Sequence, residues 1–310
     1  MVDEGARAGD AHWRLRAGIT AVKGVLDSDG GLRADAEPRA DAPVRLDRWP
    51  ASPAAAPFVR HYWVPRWALP PGVAIEQRAL DYPSANLVIE PDRSGLYGAA
   101  RGSTAQRLEG DGWALGVLLQ PGTAHALVGD AVRRAVGASV PVDALPGFAS
   151  VESAVRAAMA RGDDASAVAA VDAWFVAAEL DLGDDGVLVR DVLELVERDR
   201  SIVRVDDLSA ATGRSVRALQ RLVRTQLGLT PKQLIGRHRL QEAAWELAHA
   251  DHRPLAELAA ALGYADQAHF SRDFRDVVGE SPARYAAHAA GAAGGAADVA
   301  PGHSAPGARL

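Results

Sequence analysis

Cysteine is absent from this 310-residue sequence, aromatic side chains make up only 5%, and long apolar runs are missing. The absence of cysteine excludes disulfide bonds, thiolate metal sites and cysteine nucleophiles. No apolar run approaches the roughly 20 residues that a membrane helix needs. The acidic start, MVDEGARAGD, lacks the apolar segment of a signal peptide. We therefore expect a cytoplasmic protein that does not enter a membrane.

Signature sequences of common enzymes are missing as well. Neither the phosphate-binding pattern G-x-x-x-x-G-K-[ST] nor the nucleophile pattern G-x-S-x-G occurs. Between residues 42 and 145 the only histidines are His61 and His125, far apart in sequence. An iron or zinc site needs two or three closely placed histidines and a carboxylate. We expect no catalytic residue, no metal and no cofactor.

Negative charge is missing from one stretch of the C-terminal half. Residues 146–212 hold 14 acidic and 6 basic side chains, whereas residues 213–290 hold 11 basic and 8 acidic. The segment from Gly213 to Leu240 has no acidic residue and seven cations: Arg214, Arg217, Arg221, Arg224, Lys232, Arg237 and Arg239. The whole chain carries −6, so this local asymmetry says more about an anionic partner than the total does.

The pattern of apolar residues divides the chain into parts. Residues 1–41 lack periodicity and are predicted to form a loose arm. Residues 42–145 contain short apolar runs separated by turn residues, which is typical of a small sandwich or barrel. Residues 146–185 have helical periodicity and are predicted to form a bridge or a dimerisation segment. Residues 186–290 are predicted to be all-α, and the low-complexity tail at 291–310 to be disordered.

One unit occurs twice in the all-α part, at about 205–228 and 254–279. Each copy has a short Leu/Ala helix, a glycine, a few turn residues and a longer amphipathic helix. Gly213 and Gly263 suit the tight turn between two helices. The unit is therefore a predicted helix-turn-helix, and a linker helix over 231–250 joins the copies.

The ends of the predicted helices are marked by capping residues. Ser215 and Asp266 are good N-caps for the second helix of each unit. Thr230 and Ser281 each precede a proline, which fits an N-cap followed by proline at the first helical position.

A resemblance to a known family is carried by the stretch GYADQAHFSRDFRDVVGESPARY. Its Gly263-Tyr264, His269-Phe270-Ser271-Arg272, Phe274-Arg275, Gly279, Ser281-Pro282 and Tyr285 resemble the C-terminal signature of AraC/XylS-type transcription regulators. The resemblance covers about residues 186–288. It implies two helix-turn-helix subdomains, each placing a recognition helix in the major groove of double-stranded DNA. The family usually has Tyr-Arg near the end, whereas this chain has Tyr285-Ala286.

The resemblance implies which side chains contact DNA. By position, base contacts fall on Arg217, Gln220 and Arg221 in the first unit, and on Gln267, Ala268, Ser271 and Arg272 in the second. Arg and Gln can pair bidentately with guanine and adenine, and Ala can touch a thymine methyl group. Phosphate contacts are expected from Ser215, Arg224, Lys232, Arg237, Arg239, His269 and Arg275. The alternative is that these are ordinary exposed helix residues.

The N-terminal half is similar to β-rich sensor domains of this family, which have a cupin-like barrel. The stretches RHYWVPRW, LVIEPDRSGLYG and WALGVLLQPG carry this similarity. The predicted fold class is thus a β-rich cupin-like barrel or sandwich followed by an all-α tandem helix-turn-helix domain. Such a barrel implies an unknown small-molecule effector. Candidate pocket residues are Trp63, Trp67, Arg78, Asn86, Glu90 and Trp113; core packing or outward-facing positions are the alternative.

Several alternatives stay open at this point. The helix around Trp174 is either a homodimer face or a stripe packed on its own domain. RNA polymerase is a further candidate partner. The main reading is a DNA-binding transcription regulator that responds to a small molecule. The second reading is an architectural DNA-binding protein whose β-rich part only mediates association, and the third is a metalloenzyme fused to a DNA-binding module. A lack of cysteine excludes regulators that accept alkyl groups on that residue.

Overall fold

A computed structural model describes most of the chain. The described residues are 24–26, 44–80, 82–99, 104–143, 145–248 and 253–287. The predicted arm, apart from a short strand at Gly24–Leu26, and the predicted disordered tail lie outside them.

The N-terminal part is built of antiparallel strands. The described residues contain β1 (Gly24–Leu26), β2 (Val44–Pro50), β3 (Val59–Ala68), β4 (Ala74–Leu80), β5 (Asn86–Ile89), β6 (Ser94–Tyr97), β7 (Thr104–Glu109), β8 (Asp111–Trp113), β9 (Leu115–Leu119) and β10 (Ser139–Val140). They form a three-stranded sheet, β1-β4-β7, and a seven-stranded sheet, β10-β6-β5-β9-β3-β2, with β8 paired to β3. The predicted β-rich character of this part is confirmed.

Strand β9 lies inside the larger sheet, between β5 and β3. Its sequence LGVLL is apolar throughout, and all five residues are buried. Such a run suits a strand that is covered on both faces. Val117 and Leu119 point into the core of the β-rich part, whereas Leu118 packs against the C-terminal helices.

The remaining elements are helical. They are α1 (Thr123–Val128), α2 (Phe148–Ala160), α3 (Asp164–Ala177), α4 (Gly183–Arg198), α5 (Val205–Thr212), α6 (Val216–Leu227), α7 (Pro231–Leu247), α8 (Leu255–Ala261), α9 (Gln267–Val278) and a last short helix, α10, over 282–287, with a 3₁₀ segment at Gly129–Arg133. Among the described residues, none of these helices is long and apolar enough to cross a membrane.

Helices α2 and α3 pack against one face of the larger sheet, and polar contacts stabilise this packing. Arg66 of β3 forms an ion pair with the buried carboxylate of Asp164 at the start of α3. The hydroxyl of Tyr62, also on β3, donates to Asp172 of α3 at 2.9 Å. Because Tyr62 is fully buried, this hydrogen bond satisfies a group that would otherwise be costly to bury.

Trp174 of α3 packs on its own domain. Its indole N–H donates to the carbonyl of Pro146 at 3.0 Å, and its ring meets Phe148 edge-on at a centroid distance of 4.9 Å. Only 8% of Trp174 is exposed. Of the two alternatives for this helix, the structure favours packing within the chain. From this packing we propose that α2 and α3 belong to the β-rich domain and do not form a separate bridge over 146–185.

Linker helix α7 starts as its sequence predicts. Thr230 is the N-cap, and its hydroxyl accepts a hydrogen bond from the backbone N–H of Gln233 at 3.2 Å. The Gln233 side chain accepts in return from the N–H of Thr230 at 2.9 Å, which completes a capping box. Pro231 occupies the first helical position, where its missing N–H costs nothing.

Two hydrophobic cores hold the C-terminal helices. The first joins α4, α5, α6 and the start of α7, and it also includes Tyr82, Ala99 and Leu118 of the β-rich part. The second joins the end of α7 with α8, α9 and α10 around Phe270, Phe274 and Tyr285. The first helix-turn-helix unit therefore shares its core with the β-rich part, and the second unit has its own.

Candidate nucleic-acid interface

Both predicted helix-turn-helix units are present. In the first, α5 ends at Gly213 (φ +64°), and the Ser215 side chain caps α6 by accepting from the N–H of Ala218 at 3.3 Å. In the second, Gly263 follows α8 with φ +70°, and Asp266 caps α9 by accepting from the N–H of His269 at 2.7 Å. These positive φ values strain any residue with a Cβ, which is why glycine occupies both turns.

Helix α6 presents a basic face without an acidic residue. Its buried residues are Leu219, Leu222, Val223, Gln226 and Leu227. The opposite face is exposed and carries Arg217, Gln220, Arg221 and Arg224. Adjacent arginines without a carboxylate nearby repel each other, and a polyanion relieves this repulsion.

Helix α9 presents a polar face of different composition. Phe270, Phe274 and Val278 are buried. Gln267, Ala268, Arg272 and Arg275 are exposed, and Ser271 is half-buried. Unlike α6, this helix also carries two acidic residues, Asp273 and Asp276, so its net charge is close to zero. Its exposed side chains are suited to base contact more than to general attraction of DNA.

Of the expected phosphate contacts on α7, burial contradicts Arg237, and Arg239 has other partners. Arg237 of α7 is buried, with only 5% of its surface exposed. Arg239 is turned inward, where Nη1 donates to the carbonyl of Val203 at 3.2 Å and the guanidinium lies 4.5 Å from the centre of the Tyr264 ring. Arg237 is therefore shielded from DNA, whereas Arg239 is half-buried and its guanidinium already contacts Val203 and Tyr264.

The other expected phosphate contacts lie on the surface. Ser215, Arg224, Lys232, His269 and Arg275 are all exposed. Ser215 also caps α6, so its hydroxyl has a structural role as well. The ring of His269 meets Tyr264 edge-on at 5.2 Å, and its Nε2 lies 3.5 Å from a carboxylate oxygen of Asp273.

A polar contact between the β-rich part and α4 has no signal in the sequence. The guanidinium of Arg60 on β3 lies 4.2 Å from the centre of the Tyr82 ring and donates to the Tyr82 hydroxyl. That hydroxyl in turn donates to Glu197 of α4. Arg60 and Glu197 also form an ion pair at 3.6 Å. Burial is the main cause that raises the pKa of Tyr82 well above its ordinary value. The three residues are far apart in sequence, so only the fold brings them together.

The backbones of the two parts also approach closely at this contact. A Cβ on Gly228, at the end of α6, would lie 2.4 Å from a methyl group of Val136. A Cβ on Gly122 would lie 2.8 Å from the carbonyl oxygen of Gly186 in α4. These glycines permit the β-rich part to pack directly on the first helix-turn-helix unit.

Three of the candidate pocket residues, Trp63, Trp67 and Asn86, lie on one face of the larger sheet. The register places Trp63 beside Gly116 and Val88, and His61 beside Leu118 and Asn86. Directly opposed residues of antiparallel strands lie on the same face. The indole N–H of Trp63 donates to the side-chain carbonyl of Asn86 at 3.2 Å.

Trp63 and Trp67 each lie flat over a glycine of a neighbouring strand. A Cβ on Gly116 would fall 1.9 Å from the Trp63 ring, and one on Gly112 would fall 2.1 Å from the Trp67 ring. The two glycines thereby leave room for an aromatic surface on this sheet face. His61 lies on the same face, where burial and nearby arginines lower its pKa to about 4, so it is neutral at pH 7.

Two other candidate pocket residues, Trp113 and Glu90, make different contacts. Trp113 is opposite Arg66 on the helix-covered face and packs against the main core of the β-rich part. Glu90 lies in the β5–β6 turn, where its carboxylate pairs with Arg93. Strand register thus separates Trp113 from Trp63, and the role of Glu90 in a pocket stays a prediction. The side chain of Arg78 lies outside the described residues. In the part of the chain that is described, no group of three or more His, Asp or Glu side chains is arranged to hold a metal ion.

Comparison with known proteins agrees with the geometry of the C-terminal helices. Residues 208–288 match a family described as a helix-turn-helix domain, and residues 47–141 match a domain of unknown function. The probable transcriptional regulator LumQ of Photobacterium leiognathi is 34% identical over 83 residues, covering 27% of this chain and 33% of LumQ. The transcriptional activator NphR of Rhodococcus sp is 33% identical over 109 residues, covering 35% of this chain and 32% of NphR.

The similarity to solved structures is weaker than the sequence matches. The crystal structure of an apo ToxT variant from Vibrio cholerae aligns with 82% of this chain and 99% of its own at 10% identity, with a TM-score of 0.37. A score this low does not establish a shared arrangement. The sequence matches span about a third of the length of each curated relative.

The tandem helix-turn-helix units, the linker helix and the family match together define a DNA-binding class of domain. Residues 208–288 form a helix-turn-helix domain of the AraC type.

Proposed function

We propose that this protein is a sequence-specific transcription regulator whose helices α6 and α9 enter successive segments of the DNA major groove. The observation that carries the proposal is the pair of matching helices. Each is capped after a glycine turn, packed by its apolar face and exposed along a face of Arg and Gln side chains. Those side chains have the donors that guanine and adenine edges accept in the major groove.

The linker helix favours a two-part site. Segments of the major groove on one side of the duplex recur about every 34 Å, which is one helical turn. A single copy of the chain with two recognition helices would therefore contact two short boxes about one turn apart. These boxes need not be palindromic, because the two helices differ in their exposed residues.

Binding-site selection with the full-length protein and random duplexes tests the proposal, followed by footprinting of the selected sequences. We expect two enriched boxes with protected bases about one turn apart. A variant with Arg217, Arg221 and Arg272 all changed to Ala should lose the enrichment. A matched variant with Arg161 and Arg198 changed to Ala, two exposed arginines outside α6 and α9, should retain it. Absence of any enrichment with the wild-type protein would contradict the proposal.

We further propose that a small-molecule effector binds the sheet face that carries Trp63, Trp67 and Asn86. Support comes from the two indole rings that lie over glycines and from the neutral, half-buried His61 beside them. Aromatic walls with a few polar groups are typical of small-molecule sites. The same sheet contributes Leu118 to the core shared with α4 and α6, which gives a physical route from an effector to the first helix-turn-helix unit.

Thermal unfolding of the full-length protein in the presence of a small-molecule collection tests this proposal. A ligand present at 100 times its Kd should stabilise the protein by about 2.7 kcal/mol. Trp63→Ala should abolish the stabilisation, and Trp113→Phe, on the opposite face, should not. If the β-rich part only mediates association, no compound will stabilise the protein and DNA binding will depend on dimer formation. Contacts with RNA polymerase and with a second copy of the chain remain predictions.

A further inference from the structure

We infer that Arg239 and Tyr264 are positioning residues that set the spacing between the two DNA boxes, by fixing how the second helix-turn-helix unit is held against the first. This inference rests on the proposed function. It assigns to Arg239 a role different from the phosphate contact that its place in an acid-free stretch suggests.

Arg239 lies at the point of α7 where one hydrophobic core ends and the other begins. Leu234 and Ile235 of the same helix belong to the first core, whereas Leu240 and Ala243 belong to the second. The helix therefore connects the two units, and Arg239 is located between them.

The guanidinium of Arg239 contacts both units at once. Nη1 donates to the carbonyl oxygen of Val203 at 3.2 Å, and Val203 immediately precedes helix α5 of the first unit. The Tyr264 ring, 4.5 Å from the guanidinium carbon, belongs to the turn of the second unit. A hydrogen bond on one side and a cation–π contact on the other constrain the separation of the two units.

Tyr264 transmits this constraint to the second recognition helix. Its ring meets the rings of His269 and Phe270 edge-on, at centroid distances of 5.2 and 5.4 Å. Both residues lie in the first turn of α9, next to the expected base contacts Gln267 and Ala268. A shift of Tyr264 would therefore move the end of α9 that faces DNA.

The turn of the second unit touches the first unit directly at the same place. A Cβ on Gly263 would lie only 3.0 Å from the Cβ of Val203. Within the described residues, Nε and Nη2 of Arg239 are buried without a hydrogen-bond partner, so the charge is stabilised by the aromatic ring and by the Val203 carbonyl. Burial lowers the pKa of Arg239, and the nearby Tyr264, Asp273 and Glu242 act in the opposite direction. A half-buried arginine with two buried nitrogen atoms and contacts to both units is placed to hold them together.

The inference predicts a loss of spacing preference without loss of box recognition. Adding or removing one base pair between the boxes rotates one box by about 36° relative to the other, because the duplex has about 10 base pairs per turn. A rigid protein cannot follow this rotation. We expect the wild-type full-length protein to bind the selected spacing at least tenfold more tightly than spacings one base pair longer or shorter.

Electrophoretic or fluorescence binding assays on these duplexes test the inference with Arg239→Met, which retains the apolar stem and removes both contacts. We expect the tenfold preference to fall below about threefold, while affinity for a duplex with only one intact box changes by less than about twofold. Arg253→Met is the matched control, since Arg253 pairs with Glu246 at the far end of the same helix. Val278→Ala is a second control that loosens the core of the second unit without touching Arg239; it should lower affinity for all spacings alike.

The result that overturns the inference is an unchanged spacing preference in Arg239→Met. If that variant does not fold, Tyr264→Phe and Tyr264→Leu decide the matter on the same duplexes. Phe retains a ring beneath the guanidinium and should keep the preference, whereas Leu should abolish most of it. Equal preferences in these two variants would contradict the inference. Failure of the wild-type protein to select any DNA would instead contradict the proposed function.

Discussion

The two helix-turn-helix units share a backbone plan and differ in how they are packed and charged. Helix α6 is basic along its exposed face and is buried in a core that includes Tyr82 and Leu118 of the β-rich part. Helix α9 carries both signs of charge and is held by an aromatic core of its own around Phe274. The difference teaches that one fold can be used for two tasks. Under the proposed function, the first unit would attract DNA and respond to the β-rich part, and the second would contribute base specificity.

A ligand bound to the β-rich part would act on the two units differently. A ligand on the sheet face that carries Trp63 would act on the first unit through the shared core and through the Arg60–Tyr82–Glu197 contact. The second unit has no buried residue in common with the β-rich part among the residues described. Any change of DNA binding would therefore begin at the box contacted by α6.

The largest expected effect comes from truncation of a core residue in either unit. Phe274→Ala should cost about 3–5 kcal/mol, and Leu219→Ala about 2–5 kcal/mol, because each leaves a cavity. Hydrogen exchange resolved by peptide should show faster exchange for Phe274→Ala in the end of α7 and in α8, α9 and α10, and not in α4 or β9. For Leu219→Ala the faster exchange should extend into α4 and β9. Confinement of both effects to the mutated unit would contradict the shared core.

A buried histidine on the linker helix should make the C-terminal part sensitive to acid. Burial and the charge of Arg200 lower the pKa of His238 to about 4 from 6.5. A histidine with a depressed folded-state pKa takes up a proton more readily when unfolded, so stability decreases as pH falls from about 6.5 to about 4. A shift of this size corresponds to up to about 3 kcal/mol.

Urea unfolding at a series of pH values measures this effect. His238→Gln should flatten the loss of stability between pH 6.5 and 4. His269→Gln is the comparison variant, because His269 is exposed on α9. Parallel curves for the wild-type protein and His238→Gln would show that His238 does not contribute.

The smallest expected effects come from the glycines of the two turns. Gly213→Ala places a Cβ at positive φ in open space and should cost about 1–2 kcal/mol. Gly263→Ala has the same backbone strain and, in addition, a close contact with Val203 of the first unit. Its midpoint of urea unfolding should therefore decrease more than that of Gly213→Ala. An equal decrease would mean that the contact between the units relaxes at no cost.

The parts of this structure that the sequence predicts are those with local signals. Gly213 and Gly263, with the caps Ser215 and Asp266 a few residues later, mark both turns at nearly equal offsets. The inward positions of the recognition helices follow from helical periodicity, and Phe270 and Phe274, four residues apart on α9, are both buried. Local hydrogen bonds and periodicity do not depend on the rest of the fold, so short stretches are sufficient.

The parts that the sequence misplaces depend on long-range packing. Arg237 and Arg239 belong to an acid-free, basic stretch that resembles a surface, yet α7 is packed on several sides. Trp63 and Trp113 are equally plausible pocket residues until strand register places them on opposite faces. The contact of Arg60 with Glu197 joins residues with 136 positions between them. No local pattern encodes such pairings.

Binding-site selection with single and double variants of the full-length protein tests the central claim, that α6 and α9 each specify one box. Arg221→Ala should relax base preference in one box and cost about 1–3 kcal/mol on the selected site. Arg272→Ala should do the same in the other box. The losses should add in the double variant, because the two side chains lie in separate units. If neither variant alters base preference in any box, and both lose equally little affinity on selected and random DNA, the two arginines are surface charge and the claim is wrong.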